Sequence, residues 1–291
     1  MNIGRIGVWS FLDGMTAAEA AAYARGVERR GYRALWIPEA AGRDPMAHAA
    51  HLLAHSQDLV LATGIANVWA RDPMAMMAAA RTLAEGSAGR FILGIGVSHR
   101  PLVETVRGHD YRKPFTYMRE YVAKMKVAVY AAPSAPEEPP IVLAALHPRM
   151  LQLAAAETQG THTYFVPPEH TAASRARMGP GPWICAAQAV VLEADAERAR
   201  ATARLYMQTY VPTLPNYTNM LRALGWGDAD FADGCSDRLV DAIVAWGSAE
   251  QIQARIEAHL AAGATHVCIL PLRTDGAPLP DERALDALAP R

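Results

Sequence analysis

Residues 59–73, LVLATGIANVWARDP, set an amide, an indole and a guanidinium (Asn67, Trp69 and Arg71) between a short apolar run and an Asp-Pro pair. Val60, Leu61, Ala62 and Ile65 show no helical period and read as a buried strand, while Gly64 near its end lets the backbone approach a flat ligand. Asp72-Pro73 is an N-cap with a first-turn proline, so a helix opens there and residues 67–71 form the loop between. Binding and catalytic groups concentrate on such loops. Two other stretches share the potential. Gly94-Ile95-Gly96 ends a strand and leads into Val97, Ser98 and His99; its glycines allow a planar ring against the wall, and Ser98 and His99 can donate hydrogen bonds. Pro167-Pro168-Glu169-His170 precedes a helix, whose free first amides can hold a phosphate with His170 and Thr171 beside them.

Other chemistries lack their spacing. The Gly94 stretch misses the third glycine and the immediate helix of a dinucleotide fingerprint. His48, His51 and His55 share a helical face at i, i+3 and i+7, but a metal needs a tighter pair plus further ligands, so none is expected. There is no GxSxG elbow, P-loop or HExxH. Cys185, Cys235 and Cys268 are odd in number and widely spaced, and read as free thiols of a reducing cytoplasm.

The elements that must position these groups alternate. Strands are expected at residues 2–10, 33–38, 59–65, 90–97, 140–144, 161–166, 183–192 and 265–271. Between them lie helical patterns: Thr16 to Glu19 is a capping box, Asp44-Pro45 and Asp72-Pro73 are caps, and Ser248 to Gln251 is a second box. Residues 98–113 read as a long polar loop. Residues 210–235, with Pro212, Pro215 and Gly225-Trp226-Gly227, read as an insertion that covers a mouth or builds an interface. Eight strands separated by helices predict an α/β fold, a (β/α)8 TIM barrel of one domain over residues 1–291, with an open doubly wound sheet as the alternative. In a barrel the functional groups cluster at the C-terminal strand ends, among them Trp9, Phe11 and Glu39.

The composition suits that reading. With 51% hydrophobic residues in 291, the chain can bury one large core. A net charge of −1 gives no global field for nucleic acid or an anionic membrane, so an anion must be held by local groups. Only three of the 28 basic residues are lysines (Lys113, Lys124 and Lys126), a bias of GC-rich coding. No leader or span of about 20 apolar residues is found, so a cytoplasmic protein is expected.

LATGIANVWARDP, AGRFILGIGVSH and HTYFVPPEH together resemble the bacterial luciferase-like monooxygenase superfamily, and more narrowly its coenzyme F420-dependent oxidoreductase branch. The resemblance runs from about Ile3 to Leu272 and implies a TIM barrel, in agreement with the strand count. It also implies a non-prolyl cis peptide at the end of strand three, at Gly64-Ile65, against the ring of a flavin or deazaflavin. The implied cofactor contacts are Gly64, Ile65, Asn67, Gly96, Val97, Ser98, Thr163, Pro168 and His170, with Trp9, Phe11 and Trp69 lining the substrate side. Relatives often carry an acidic residue followed by histidine as proton donor; here Glu39 is followed by Ala40, so either Glu39 or His99 is the catalytic group that handles protons, or the reaction needs none from the protein.

The expected function is hydride transfer between reduced coenzyme F420 and a small-molecule substrate. Alternatives are an FMN-dependent monooxygenase and a non-catalytic ligand-binding barrel. A homodimer is expected. Arg71, Arg100, Arg112, Lys113 and His170 are expected at the mouth, to meet the anionic tail of the coenzyme.

Overall fold

Asp44 and Asp72 each accept hydrogen bonds from two amides two and three residues on, with proline in the first turn of the helix that follows. Thr16 and Ser248 form reciprocal capping boxes. These caps fix where helices begin, and the apolar runs between them become strands. The structure, a computed structural model, describes residues 1–290.

In chain order the first half runs β1 Ile6–Trp9, α1 Ala17–Arg29, β2 Ala34–Ile37, α2 Pro45–Ala54, β3 Val60–Thr63, β4 Ala66–Asn67, α3 Pro73–Gly86, β5 Phe91–Gly96, α4 Pro114–Lys126, β6 Ile141–Ala144 and α5 Pro148–Glu157. The second half runs β7 Gly160–Thr163, α6 Pro168–Met178, β8 Trp183–Val191, α7 Ala196–Met207, α8 Pro215–Ala223, α9 Asp228–Phe231, α10 Asp237–Ile243, β9 Val244–Trp246, α11 Ala249–Ala261, β10 His266–Pro271 and α12 Glu282–Ala287. β1, β2, β3, β5, β6, β7, β8 and β10 pair in parallel in that order, and the ring closes because β10 pairs with both β8 and β1 (Ile6 opposite Val267). This is the closed (β/α)8 barrel.

Side chains alternate along each strand between the barrel interior and the layer under the helices. Leu35, Leu61, Phe91 and Leu93 pack with Met76, Tyr121 and Met125 of the helices. Trp36, Ala62, Ile92, Val142 and Cys268 belong to the other buried layer.

Several boundaries differ from the sequence expectation. The first strand begins after Gly4, whose φ of +70° and amide bond to Asn2 Oδ1 (3.0 Å) make a turn of residues expected to be extended. The sixth stops at Thr163 because Phe165 takes φ +55°. Asn67 is not free loop: it pairs with Gly96 in β4. The loop over residues 98–113 holds a turn of π-helix, Pro101–Val106. Residues 210–235 break into α8, α9 and a short 3-10 turn, as their prolines and glycines require. β9, which lengthens the wall beside β8, was not expected.

Candidate active site

The C-terminal strand ends surround a cavity of about 620 Å³, within the range of small-molecule sites. Its floor is the backbone of Gly64-Ile65, joined by a cis peptide bond. The Gly64 carbonyl accepts from Trp9 Nε1 (2.9 Å), and a Cβ on Gly64 would stand 2.6 Å from that nitrogen, so only glycine fits. Ile65 fills the space a Gly96 side chain would need: a Cβ there would lie 2.6 Å from Ile65 Cδ1.

Glu39 lines the cavity at the end of β2, with its carboxylate almost fully engaged. Its Oε2 accepts from Arg71 Nη1 (2.8 Å) and the Asn67 amide (2.8 Å), and its Oε1 accepts from Arg107 Nη2 (3.1 Å). Arg71 continues to Asp44, and Arg107 also donates to the Ala40 carbonyl (3.3 Å). Val97 and Ser98 lead from β5 to His99, which lines the cavity with its Nε2 3.4 Å from Tyr217 Oη. Burial pushes the His99 imidazole down to about 4, so it is neutral at neutral pH. Burial raises Tyr217 and Tyr210, which keep their phenol protons.

Trp9 and Phe11 line the cavity together with Gly64, Ile65, Val97 and Ser98. Other expected contacts stand behind the wall. Trp69 stacks on Tyr117 (centroids 3.9 Å, 10°) and donates from Nε1 to the Val97 carbonyl (2.9 Å), so it buttresses the β5 end from outside. Asn67 turns its Oδ1 to the Trp69 amide (3.0 Å), and Gly96 is covered by Ile65. Thr163 points away from the cavity, as its neighbours His162 and Tyr164 point in. Pro168 and His170 are not on the cavity either: His170 Nε2 contacts the Leu146 carbonyl (2.9 Å). Prolines at 167 and 168 bring no N–H and the His170 amide is bonded to the Pro167 carbonyl (3.0 Å), so α6 offers little to an anion.

The start of α5 offers more. Arg149 and Met150 precede the first intrahelical bond, from the Leu151 amide to the His147 carbonyl (3.0 Å), so their own amides are open. His147, Arg149 and Met150 all line the cavity, and the Arg149 guanidinium lies over Phe115 at 4.1 Å. Three of the cations expected to meet an anionic tail are otherwise engaged, Arg100 with Glu104 (2.5 Å), Arg112 with Asp110, and Arg71 as above, while Lys113 sits in left-handed backbone as the N-cap of α4. Sequence reasoning missed His162, Tyr164, Tyr210 and Tyr217 on the cavity. The alternation of the HTYFV stretch was the usable signal for the first two, whereas the tyrosines of the segment after α7 carried none.

His51 and His55 give ring nitrogens to backbone carbonyls, Ala17 O at 2.9 Å and His51 O at 2.8 Å. Among the described residues no group of three or more His, Cys, Asp or Glu side chains could hold a metal ion, and no helix is long and apolar enough to cross a membrane. The three cysteines are free and buried. The cavity residues fit a planar tricyclic ring: a floor without side chains, low walls at Pro38, Val97, Ala144 and Ala145, and open helix-start amides for a phosphate.

A parallel eight-stranded barrel whose strand ends enclose such a cavity has the architecture of a TIM-barrel enzyme. The chain belongs to the luciferase-like monooxygenase family, which it matches over residues 3–266. It is 35% identical over 123 residues to a Mycobacterium tuberculosis protein provisionally named a coenzyme F420-dependent oxidoreductase, covering 42% of this chain and 35% of that one. The chain thus spans about a third of the length of the mycobacterial relatives it matches (32% and 35%). An F420-dependent secondary alcohol dehydrogenase, solved with an F420-acetone adduct, superposes with a TM-score of 0.79 at 15% identity, over 98% of this chain and 97% of that one. The oxygenating constituent of 3,6-diketocamphane monooxygenase from Pseudomonas putida, solved with FMN, gives 0.69 at 15% identity over 97% and 96%. At these identities the two structures share the fold.

Proposed function

We propose that this chain is a coenzyme F420-dependent oxidoreductase that moves a hydride between the reduced deazaflavin and a small organic substrate. The observation that carries the reading is the cavity itself, floored by the side-chain-free Gly64 backbone and ending at the open amides of Arg149 and Met150. The similarity to F420-named relatives supports it. When bound, the coenzyme supplies a two-electron hydride donor or acceptor.

The residues have distinct parts in this reading. Gly64-Ile65, Val97 and Ser98 would hold the ring, and Arg149, Met150 and His147 would hold the phosphate, in place of the α6 start expected from sequence. Trp9, Phe11, Tyr164 and Tyr210 enclose the substrate and exclude water. Hydride addition to a carbonyl carbon leaves one proton to be provided at oxygen. The neutral His99, paired with Tyr217, would orient that oxygen with its ring N–H and relay a solvent proton to it, taking one up at one ring nitrogen as it releases one from the other. Glu39, held by two guanidinium groups and an amide, fixes the loop from β3 to α3 and is a positioning residue.

Equilibrium titration of the apoprotein with coenzyme F420 and with FMN tests the reading. Tight binding of F420 with weak binding of FMN is expected. Binding of FMN alone would establish the flavin reading, and binding of neither would leave a barrel that serves another ligand.

A further inference from the structure

His162 stands at the end of β7, 3% exposed and stacked on Trp36 (centroids 4.8 Å, 8°), and it lines the cavity. No protein group is within hydrogen-bond reach of its Nε2. That nitrogen lies beside the floor, since a Cβ built on Gly64 would be 3.4 Å from it. The other ring nitrogen, Nδ1, is 3.9 Å from Cys268 Sγ.

The network assigns the proton. Cys268 has one S–H, and it is directed at the Ala186 carbonyl (3.5 Å). With that S–H on Ala186, the contact between Nδ1 and Sγ runs from an imidazole N–H to sulfur, the tautomer that leaves Nε2 unprotonated. The Cys185 backbone, opposite His162 across β7 and β8, is a further acceptor acting on the ring. Burial, and then nearby His266, push the imidazole down to about 3, so the ring is neutral. With its proton on Nδ1, a neutral imidazole carries a lone pair on Nε2. It is a buried acceptor aimed into a largely apolar cavity, and such a group costs free energy unless a donor meets it.

We propose that His162 Nε2 is a cofactor-recognition site that accepts a hydrogen bond from the imide N–H of the bound ring. Deazaflavin and flavin both carry a pyrimidinedione, whose imide N–H is a fixed donor at one edge of the plane. The inference rests on the ring-binding reading above and names the edge of the ring that faces β7. It orients the ring with its pyrimidinedione towards β7 and its phosphate arm towards α5.

The test is a binding cycle read by quenching of coenzyme fluorescence and by the absorption band of the bound ring. Wild type and His162→Phe are titrated with coenzyme F420 and FMN, and with the imide-N-methylated form of the one that binds. His162→Phe should bind the parent coenzyme about tenfold more weakly, with a shifted bound absorption band. Methylation should cost the wild type about tenfold and His162→Phe less than about twofold. His162→Gln, whose side-chain oxygen can accept, should recover part of the affinity, and it carries the test if His162→Phe does not fold. Equal affinity and an unshifted band in a folded His162→Phe overturn the inference and leave the ring-binding reading intact. A wild type that binds neither coenzyme overturns both.

Discussion

Beside β2 and β3 the mouth is built from charge, with Glu39 between Arg71 and Arg107 and Asp44 beyond. Across the cavity, the end of β7 and the segment after α7 present neutral groups: His162 stacked on Trp36, and Tyr164, Tyr210 and Tyr217 packed on Phe165. The charged side has nearly all its acceptors engaged within the protein. The aromatic side keeps His162 Nε2 and Tyr164 Oη without protein partners. Arg107 Nε and Asn67 Nδ2 on the charged side also lack protein partners, but its carboxylates are engaged, which makes a rigid wall, whereas an open acceptor on the cavity surface makes a receptive one. The difference assigns support to one wall and recognition to the other.

Acid should separate the walls with the largest effect. Burial holds His48, His99 and His266 down to about 4, and His162 and His259 to about 3, against 6.5 in the unfolded chain. A base depressed on folding contributes stability that is complete above pH 6.5 and is lost as pH falls towards 4, because the unfolded state binds the protons. Urea unfolding should show the protein markedly less stable at pH 4.5 than at pH 7, with each proton taken up only on unfolding contributing about 1.4 kcal/mol per pH unit. A flat profile over that window would mean that these imidazoles titrate in the folded protein as they do in the unfolded chain.

Glu39→Ala attacks the other wall. It leaves two largely buried guanidinium groups without their shared carboxylate and should cost about 3 kcal/mol in urea unfolding. A loss below about 0.5 kcal/mol would show that the ionic wall does not hold the β3–α3 loop. Arg149→Ala tests the place where the walls meet. Anionic coenzyme should bind about tenfold more weakly at low salt, and the difference should shrink at high salt. Salt-independent loss would point to its packing on Phe115 instead. The smallest effect is expected from Tyr217→Phe, which removes the 3.4 Å contact to His99: stability should change by less than about 1 kcal/mol while turnover falls. Unchanged turnover would remove the pair from proton handling.

The barrel was legible because its signals are local. Asp44-Pro45, Asp72-Pro73, Thr16 to Glu19 and Ser248 to Gln251 fix helix starts by their own hydrogen bonds. Gly64 was legible as a floor for the same reason. What sequence could not give is which way a strand-end residue faces once a turn intervenes. Trp69 and Asn67 sit on the expected loop, yet the pairing of Asn67 with Gly96 rotates both behind the wall. The engagement of Glu39 depends on Arg107, brought in from the far end of a π-helical turn that no periodicity announces. His170 looked like a phosphate ligand until its neighbouring prolines were counted as missing donors.

The seam of the barrel bears on how the chain reaches this state. β1 pairs with β10, His266 Nδ1 contacts the Gly4 carbonyl (2.8 Å), and Tyr32 donates to the Leu285 carbonyl (2.9 Å), so the earliest and latest strands complete each other. Joining them directly in a disordered chain would close a loop of almost the whole sequence, at an entropic cost that intervening strands remove by bringing the two edges together. The seam is therefore expected to be the last ladder to form. Trp36, which donates to His266 Nε2 (3.1 Å) and stacks on His162, would then report closure as a late fluorescence phase, after the amides of β3 and β5 are already protected from exchange.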